Sequence, residues 1–265
     1  MLFSNNLNKL ISKPQSEVLY FLKDTKEHIN LNELLGGSLR FTYSGRINCI
    51  YCGRKTRASY AQGYCFSCSQ TLPQASLSIL KPELDQSHLG ISRDMEWAKK
   101  NSLIDHYVYL AISSSLKVGI TRHNQIPTRW IDQGASKAVR IAKVPYRQLS
   151  GLIEVELKKY YSDKTNWRKM LTNDIDKNID LLAERDKAHE LLKKNYGEYL
   201  IDDDVTEINY PVVKYPNKVR SINLDKTPVF EGKLMGIKGQ YLIFDDNNVF
   251  NVRKHSGYYV DIELL

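Results

Sequence analysis

All four cysteines of the chain fall in one pattern, Cys49-x2-Cys52 and, twelve residues on, Cys65-x2-Cys68. A C-x-x-C segment folds as a tight knuckle with both sulfurs turned to one side. Two knuckles complete a tetrahedral thiolate set, the closed form of a structural zinc site. Gly53 follows the first knuckle, where the turn favours a residue tolerant of positive φ. In a reducing compartment, disulfides are the weaker explanation of the same spacing. Four thiolates leave no position for water or substrate, so zinc on Cys49, Cys52, Cys65 and Cys68 is expected to be structural and to leave about −2 of local charge. Arg46, Tyr51, Arg54, Lys55, Arg57, Tyr60, Tyr64 and Phe66 lie around these ligands. Two readings of that mix stand side by side: it suits phosphates and stacked bases, or the aromatics form the core of a small module.

The wider composition is that of a globular chain, with 42% apolar and 26% charged residues over 265 positions, enough for one large domain or two to three small ones. Lys and Arg number 38 against 30 Asp and Glu, a net charge of +8, which permits binding to nucleic acid or an anionic surface. The excess is uneven. Met1–Asp105 carries +4, His106–Leu171 +8, Thr172–Val205 −5 and Thr206–Leu265 +1. No acidic residue lies between Glu33 and Glu83. No apolar run approaches the ~20 residues that span a bilayer. Asn5, Asn6, Asn8 and Lys9 interrupt the N-terminal segment, so it lacks the apolar stretch of a signal peptide. The expected compartment is the cytoplasm, with no membrane partner.

The elements that must position these residues follow from periodicity. Leu39, Phe41 and Tyr43 alternate with Arg40, Thr42 and Ser44 as a half-buried strand, with Glu17–Leu22 its expected partner. Residues 1–70 therefore read as a β-rich zinc-binding domain and 71–105 as a connector. Tyr107–Ile112 and Leu116–Thr121 read as an antiparallel hairpin turned by Ser113-Ser114-Ser115. A helix from Pro127 to Gly134, a third strand Ala138–Val144 and a helix Gln148–Tyr161 follow. Asp174–Lys194 reads as an acidic helix with Ile175, Ile179 and Leu182 on its buried stripe, and Asp202-Asp203-Asp204 as a linker. Short strand-like runs from Val205 onward suggest a small barrel of SH3 or OB type over 206–265.

The central block, 106–171, resembles the GIY-YIG nuclease core: Tyr107-Val108-Tyr109, seven residues, Lys117-Val118-Gly119-Ile120-Thr121, then Arg129 and Glu154. The resemblance is greatest to the branch whose second motif reads K-I-G-x-T. It implies a Tyr109 near the attacking water, an Arg129 on the phosphate and a Glu154 holding Mg²⁺ or Mn²⁺. Arg and a Mg²⁺-type ion are also what phosphodiester cleavage needs to neutralise charge. Three positions depart from the pattern: Tyr107 replaces the first glycine, Lys117 the tyrosine of the second motif, and Trp130 a frequent histidine. The departures favour binding over catalysis. On a helical wheel, Glu156 rivals Glu154 as the buried carboxylate; Glu154 is preferred because Leu157 follows three residues later, as in the family. A surface ion pair with Lys158 or Lys159 is the plain alternative for either.

The chain also resembles members of an uncharacterised bacterial family through Lys117–Arg122, Thr128–Ala135, Asp163–Arg168 and Gly236–Tyr241. Members often carry a second cysteine cluster, and Ala75, Ser78, Asp85 and Ser92 stand at the matching positions, so a second zinc is not expected. Lys117, Arg122, Trp130, Lys164, Trp167 and Arg168 are the candidate nucleic-acid contacts, with Trp130 or Trp167 a stacking platform in one basic cleft. Asp163 or Thr165 could instead cap the next helix. The resulting expectation is an α+β protein with an N-terminal zinc ribbon, a GIY-YIG-like α/β core, a helical linker over 172–205 and a C-terminal barrel. It is expected to bind nucleic acid, RNA or single strands before duplex, since no recognition-helix motif is evident. The alternatives are a divalent-dependent nuclease and a non-enzymatic protein-interaction scaffold.

Overall fold

The computed structural model describes residues 1–24 and 27–265 and is a mixed α+β protein with three sheets and no closed barrel among the described residues. It forms two compact units. One comprises Met1–Gln70, Leu171–Asn173 and Asn209–Leu265; the other comprises Thr71–Met170 and Asp174–Ile208.

In the first unit the alternation around Phe41 extends into a strand of eleven residues, Ser38–Asn48, with Leu39 and Phe41 buried. Both of its edges are taken by C-terminal strands, Tyr258–Leu264 on one side and Val229–Lys238 on the other. The barrel expected over 206–265 is thus an open path of strands that shares an eight-stranded sheet with the N-terminal segment. Phe41, Phe230, Phe244 and Phe250 pack ring to ring at 4.6–5.9 Å in its core. The strand at Leu19–Leu22 does not partner Ser38–Asn48; it pairs with Ile11–Lys13 and Ile29–Asn30 in a separate sheet.

The second unit is built on the strands His106–Ile112 and Leu116–Arg122, an antiparallel hairpin, with Lys137–Val144 antiparallel along the other edge of His106–Ile112. Val108, Leu110, Ile112 and Val118 enter a buried cluster with Ile153 and Leu157 of the helix Arg147–Leu157. The opposite sheet face receives Tyr109, Lys117 and Gly119, because successive strand residues alternate sides. A short helix, Thr128–Asp132, bridges the hairpin and the third strand.

The acidic helix begins later than its apolar spacing predicts. It spans Leu181–Tyr196, because the Asp180 carboxylate accepts from the Leu182 and Ala183 amides at 3.0 and 3.3 Å and caps it there. Its buried residues are Leu181, Ala188 and Leu192; Leu182 is exposed, and Ile175 and Ile179 pack from the preceding segment. Nor is the Asp202-Asp203-Asp204 run simply a linker. Asp203 accepts two hydrogen bonds from the Arg140 guanidinium, at 2.5 and 2.7 Å, in a half-buried bidentate pair. No helix of the described residues is long and apolar enough to cross a membrane.

Arg140 pulls the Asp203 carboxyl below its usual range. A depressed acid adds stability above its unfolded value, near pH ~3.9, and loses it as pH falls through the folded one. Asp203→Asn is expected to cost about 1–3 kcal/mol at neutral pH, with its gap from the parent closing below pH ~4 in urea melts.

Candidate functional site

Across the hairpin Tyr109 stands directly opposite Gly119. A Cβ at Gly119 would lie 2.6 Å from the Tyr109 hydroxyl oxygen, so only glycine lets the ring lie flat across the neighbouring strand. The fully buried ring meets Trp130 edge-on at 5.9 Å, and its hydroxyl donates to Gln133 Oε1 at 3.0 Å. Burial pushes the phenol up; the Arg129 guanidinium beside it opposes this without reversing it, so Tyr109 is a protonated donor at neutral pH.

Lys117 lies two residues before Gly119 on the same face and is 4% exposed. Among the described residues no carboxylate comes within 4.0 Å of its ammonium. Burial and then the Arg129 charge lower it to about 8, with Glu154 and Asp163 pulling the other way. Lys238 in the first unit is equally buried and also brought down to about 8, but its ammonium lies 5.4 and 5.2 Å from the Tyr210 and Tyr215 ring centroids and donates to Asn173 at 3.3 Å. Among the described residues Lys117 has no such cage.

Glu154 is the buried carboxylate of the two rivals, and Glu156 is half-buried, its charge acting on Tyr196. The Lys158 ammonium sits 3.3 Å from Glu154 and 3.4 Å from Asp163. Burial raises Glu154, and Lys158 partly offsets it. Arg129 and Glu154 thus both act electrostatically on Tyr109 and on Lys117. Lys158 and Asp163 act on Lys117 as well, and Gln133 holds the Tyr109 hydroxyl. The ion pair with Lys158 that stands as the plain alternative for Glu154 is present at i,i+4 spacing, but the carboxylate it holds is buried and not on the surface.

The other candidate contacts are placed differently. Trp130 is 1% exposed and packs in the core, so it is not a stacking platform. Arg122 is half-buried and donates to the Asn101 side chain. Lys164 and Arg168 are exposed; Trp167 is half-buried, with the Arg168 guanidinium 4.3 Å from its ring centroid. Neither Asp163 nor Thr165 caps the helix Trp167–Leu171. Asp163 turns to Lys158, and Asn166 accepts from the Lys169 amide at 3.2 Å.

The four cysteine sulfurs all lie within 4.8 Å of one another, with Cys52 and Cys65 at 3.9 Å. A tetrahedron of ~2.3 Å metal–sulfur bonds has an edge of ~3.8 Å, so the set could hold a metal ion. Gly53 takes φ +71° and its amide closes the first knuckle onto the Cys49 carbonyl at 2.9 Å. Burial raises the Cys49 thiol, but backbone amides of Cys52, Cys65 and Tyr51 outweigh it and bring it down to about 6. Burial and the neighbouring sulfurs push Cys68 up to about 12. Four thiols this close cannot all ionise without a cation among them.

The profile of a family described as a protein of unknown function, DUF2797, matches residues 36–260. No curated protein and no solved structure matches the chain.

Gly119→Ala should cost about 1–3 kcal/mol of stability, the range for overpacking. Much of that penalty should vanish in a Tyr109→Ala background, a coupling that a urea double-mutant cycle measures.

Proposed function

The chain belongs to the DUF2797 family, whose description names no activity, and we propose that it is a zinc-containing nucleic-acid-binding protein whose GIY-YIG-like core holds a backbone phosphate, of RNA or a single strand in preference to duplex. The observation that carries the reading is Lys117: a lysine 4% exposed, with no carboxylate within 4.0 Å among the described residues, beside a second cation, Arg129. A charge with no direct ion-pair partner is costly to bury. One diester anion between Lys117 and Arg129 relieves both the desolvation and the repulsion. The strand–strand–helix–strand–helix order supports the family likeness of this core. Zinc on Cys49, Cys52, Cys65 and Cys68 fixes the ribbon and takes no part in chemistry.

A second reading, a divalent-metal-dependent nuclease, is favoured by the arrival of Glu154 in the same cluster. One carboxylate completed by waters suffices for Mg²⁺ or Mn²⁺. Binding ranks above cleavage because Lys158 already occupies Glu154 at 3.3 Å, and a metal ion would have to displace that ammonium.

Fluorescence anisotropy with a labelled oligouridine strand tests the reading. Binding should weaken with salt, and Lys117→Ala or Arg129→Ala should each reduce affinity by about 10-fold or more, the value of a charge-assisted hydrogen bond. Because Lys117 titrates near 8, affinity should fall between pH 7 and 9 as the ammonium is lost, and Lys117→Arg should flatten that profile. No binding at low salt would refute the proposal. Mg²⁺- or Mn²⁺-dependent strand cleavage abolished by Glu154→Ala, with metal-free binding intact, would select the nuclease reading; intact strands after incubation with either ion would reject it.

A further inference from the structure

The zinc-ligand segment carries a surface that the core site does not use. From Gly45 to Gln70 there are four basic residues, Arg46, Arg54, Lys55 and Arg57, and no acidic one. All four are exposed, and among the described residues none has a carboxylate within 4.0 Å. Arg40, on the same strand as Arg46, shows the contrast: it pairs with Glu231 at 2.7 Å and Glu263 at 4.0 Å. Even with about −2 assigned to a zinc tetrathiolate, the segment stays positive.

The aromatics settle how this charge is presented. Tyr51 is 62% exposed, Phe66 61% and Tyr60 42%, so they do not form a module core. Tyr51 lies between Cys49 and Cys52, and Phe66 between Cys65 and Cys68. Each knuckle therefore holds one outward ring, and a metal ion joining the knuckles would fix both rings relative to each other. Tyr60 packs edge-on against Phe66 at 5.7 Å, held by the tight turn in which the Tyr60 and Tyr64 amides and carbonyls bond at 2.8 Å. Arg46 is already spread over the Tyr259 ring at 3.9 Å. Exposed flat rings beside unpaired cations, with no acidic residue in the segment, match a ligand with open π-faces and regularly spaced anions. A strand with unpaired bases has both; a duplex hides the faces, and an acidic peptide lacks them.

We propose that the zinc-binding segment is a second contact surface for single-stranded nucleic acid, with bases stacked on Tyr51 and Phe66 and phosphates held by Arg54, Lys55 and Arg57. It lies in the unit that does not contain Lys117, and it stands or falls independently of the reading of that site.

The test uses the full chain, a fluorescein-labelled oligouridine strand and a KCl series. A Tyr51→Ala, Phe66→Ala chain should lose about 10-fold or more in affinity with little change in salt slope, the worth of stacked bases. An Arg54→Gln, Lys55→Gln, Arg57→Gln chain should instead flatten the slope of log affinity against log salt by about 2, since each phosphate contact on a single strand contributes about 0.7. Zinc content and melting temperature verify that both variants stay folded; all five side chains are exposed. Both losses should persist in a Lys117→Ala, Arg129→Ala background. Unchanged affinity and slope in the two surface variants, with loss only on changing Lys117 and Arg129, would overturn this proposal and leave the core reading intact. The reverse pattern would overturn the core reading alone. Absence of binding by the parent chain at low salt would overturn both. Polyglutamate competing as well as oligouridine, insensitive to Phe66→Ala, would assign the surface to acidic proteins and overturn it as a nucleic-acid contact.

Discussion

The register that sets Tyr109 opposite Gly119 is the constraint on which the second unit depends. With no side chain at position 119, the tyrosine ring crosses its neighbouring strand and is sealed beneath Trp130, and its hydroxyl reaches the Gln133 and Arg129 helix. A slip of one residue would turn Tyr109 and Lys117 into the face occupied by Val108 and Val118. The aliphatic face therefore fixes the polar one: burying Val108, Leu110, Ile112 and Val118 against Ile153 and Leu157 leaves Tyr109, Lys117 and Gly119 no other side to occupy.

What that packing holds in place is an electrostatic imbalance. Other charges in the fold have partners: Arg140 has Asp203, Arg40 has two glutamates, and the buried Lys238 has two rings and an amide oxygen. Around Lys117 the nearest carboxylates are engaged by Lys158, and Arg129 adds repulsion. Burying an ion without a partner is among the larger penalties a fold can carry. Its retention at a cluster of perturbed titratable groups is the usual signature of a site that meets an external charge. The segment of the two cysteine knuckles poses the same question at the surface, where among the described residues Arg46, Arg54, Lys55 and Arg57 have no carboxylate within 4.0 Å.

Much of this arrangement was legible in the sequence because it depends on local period and spacing. The strands around Tyr109 and Gly119, the helix carrying Glu154 and the paired cysteine knuckles all lie within a few residues of where their patterns predict. What the pattern could not convey was partnership. Alternation at Leu39, Phe41 and Tyr43 announces a strand but not that C-terminal strands flank it, so a separate barrel was expected where one shared sheet forms. Trp130 has the amphipathic chemistry of a stacking residue, and only the Tyr109 ring beside it reveals its burial. Asp203 sits in an acidic run that reads as solvated, yet Arg140 is its partner from 63 positions away. Asp180 falls within the run whose spacing predicts a helix, yet its side chain caps the start of that helix. Between Glu154 and Glu156, the helical wheel left two candidates, and packing against the sheet separates them.

The central claim is that Lys117 is kept buried and unmatched for a phosphate, and its titration is the most direct measure. In the free chain, NMR of isotope-labelled lysine side chains should find Lys117 protonating near 8. On saturation with a single-stranded oligonucleotide, the added anion should favour the ammonium and lift that value toward or above the ordinary lysine value of ~10.4. A Lys117 titration that stays near 8 while the oligonucleotide is demonstrably bound would contradict the account, since the strand would then be held without reaching this site.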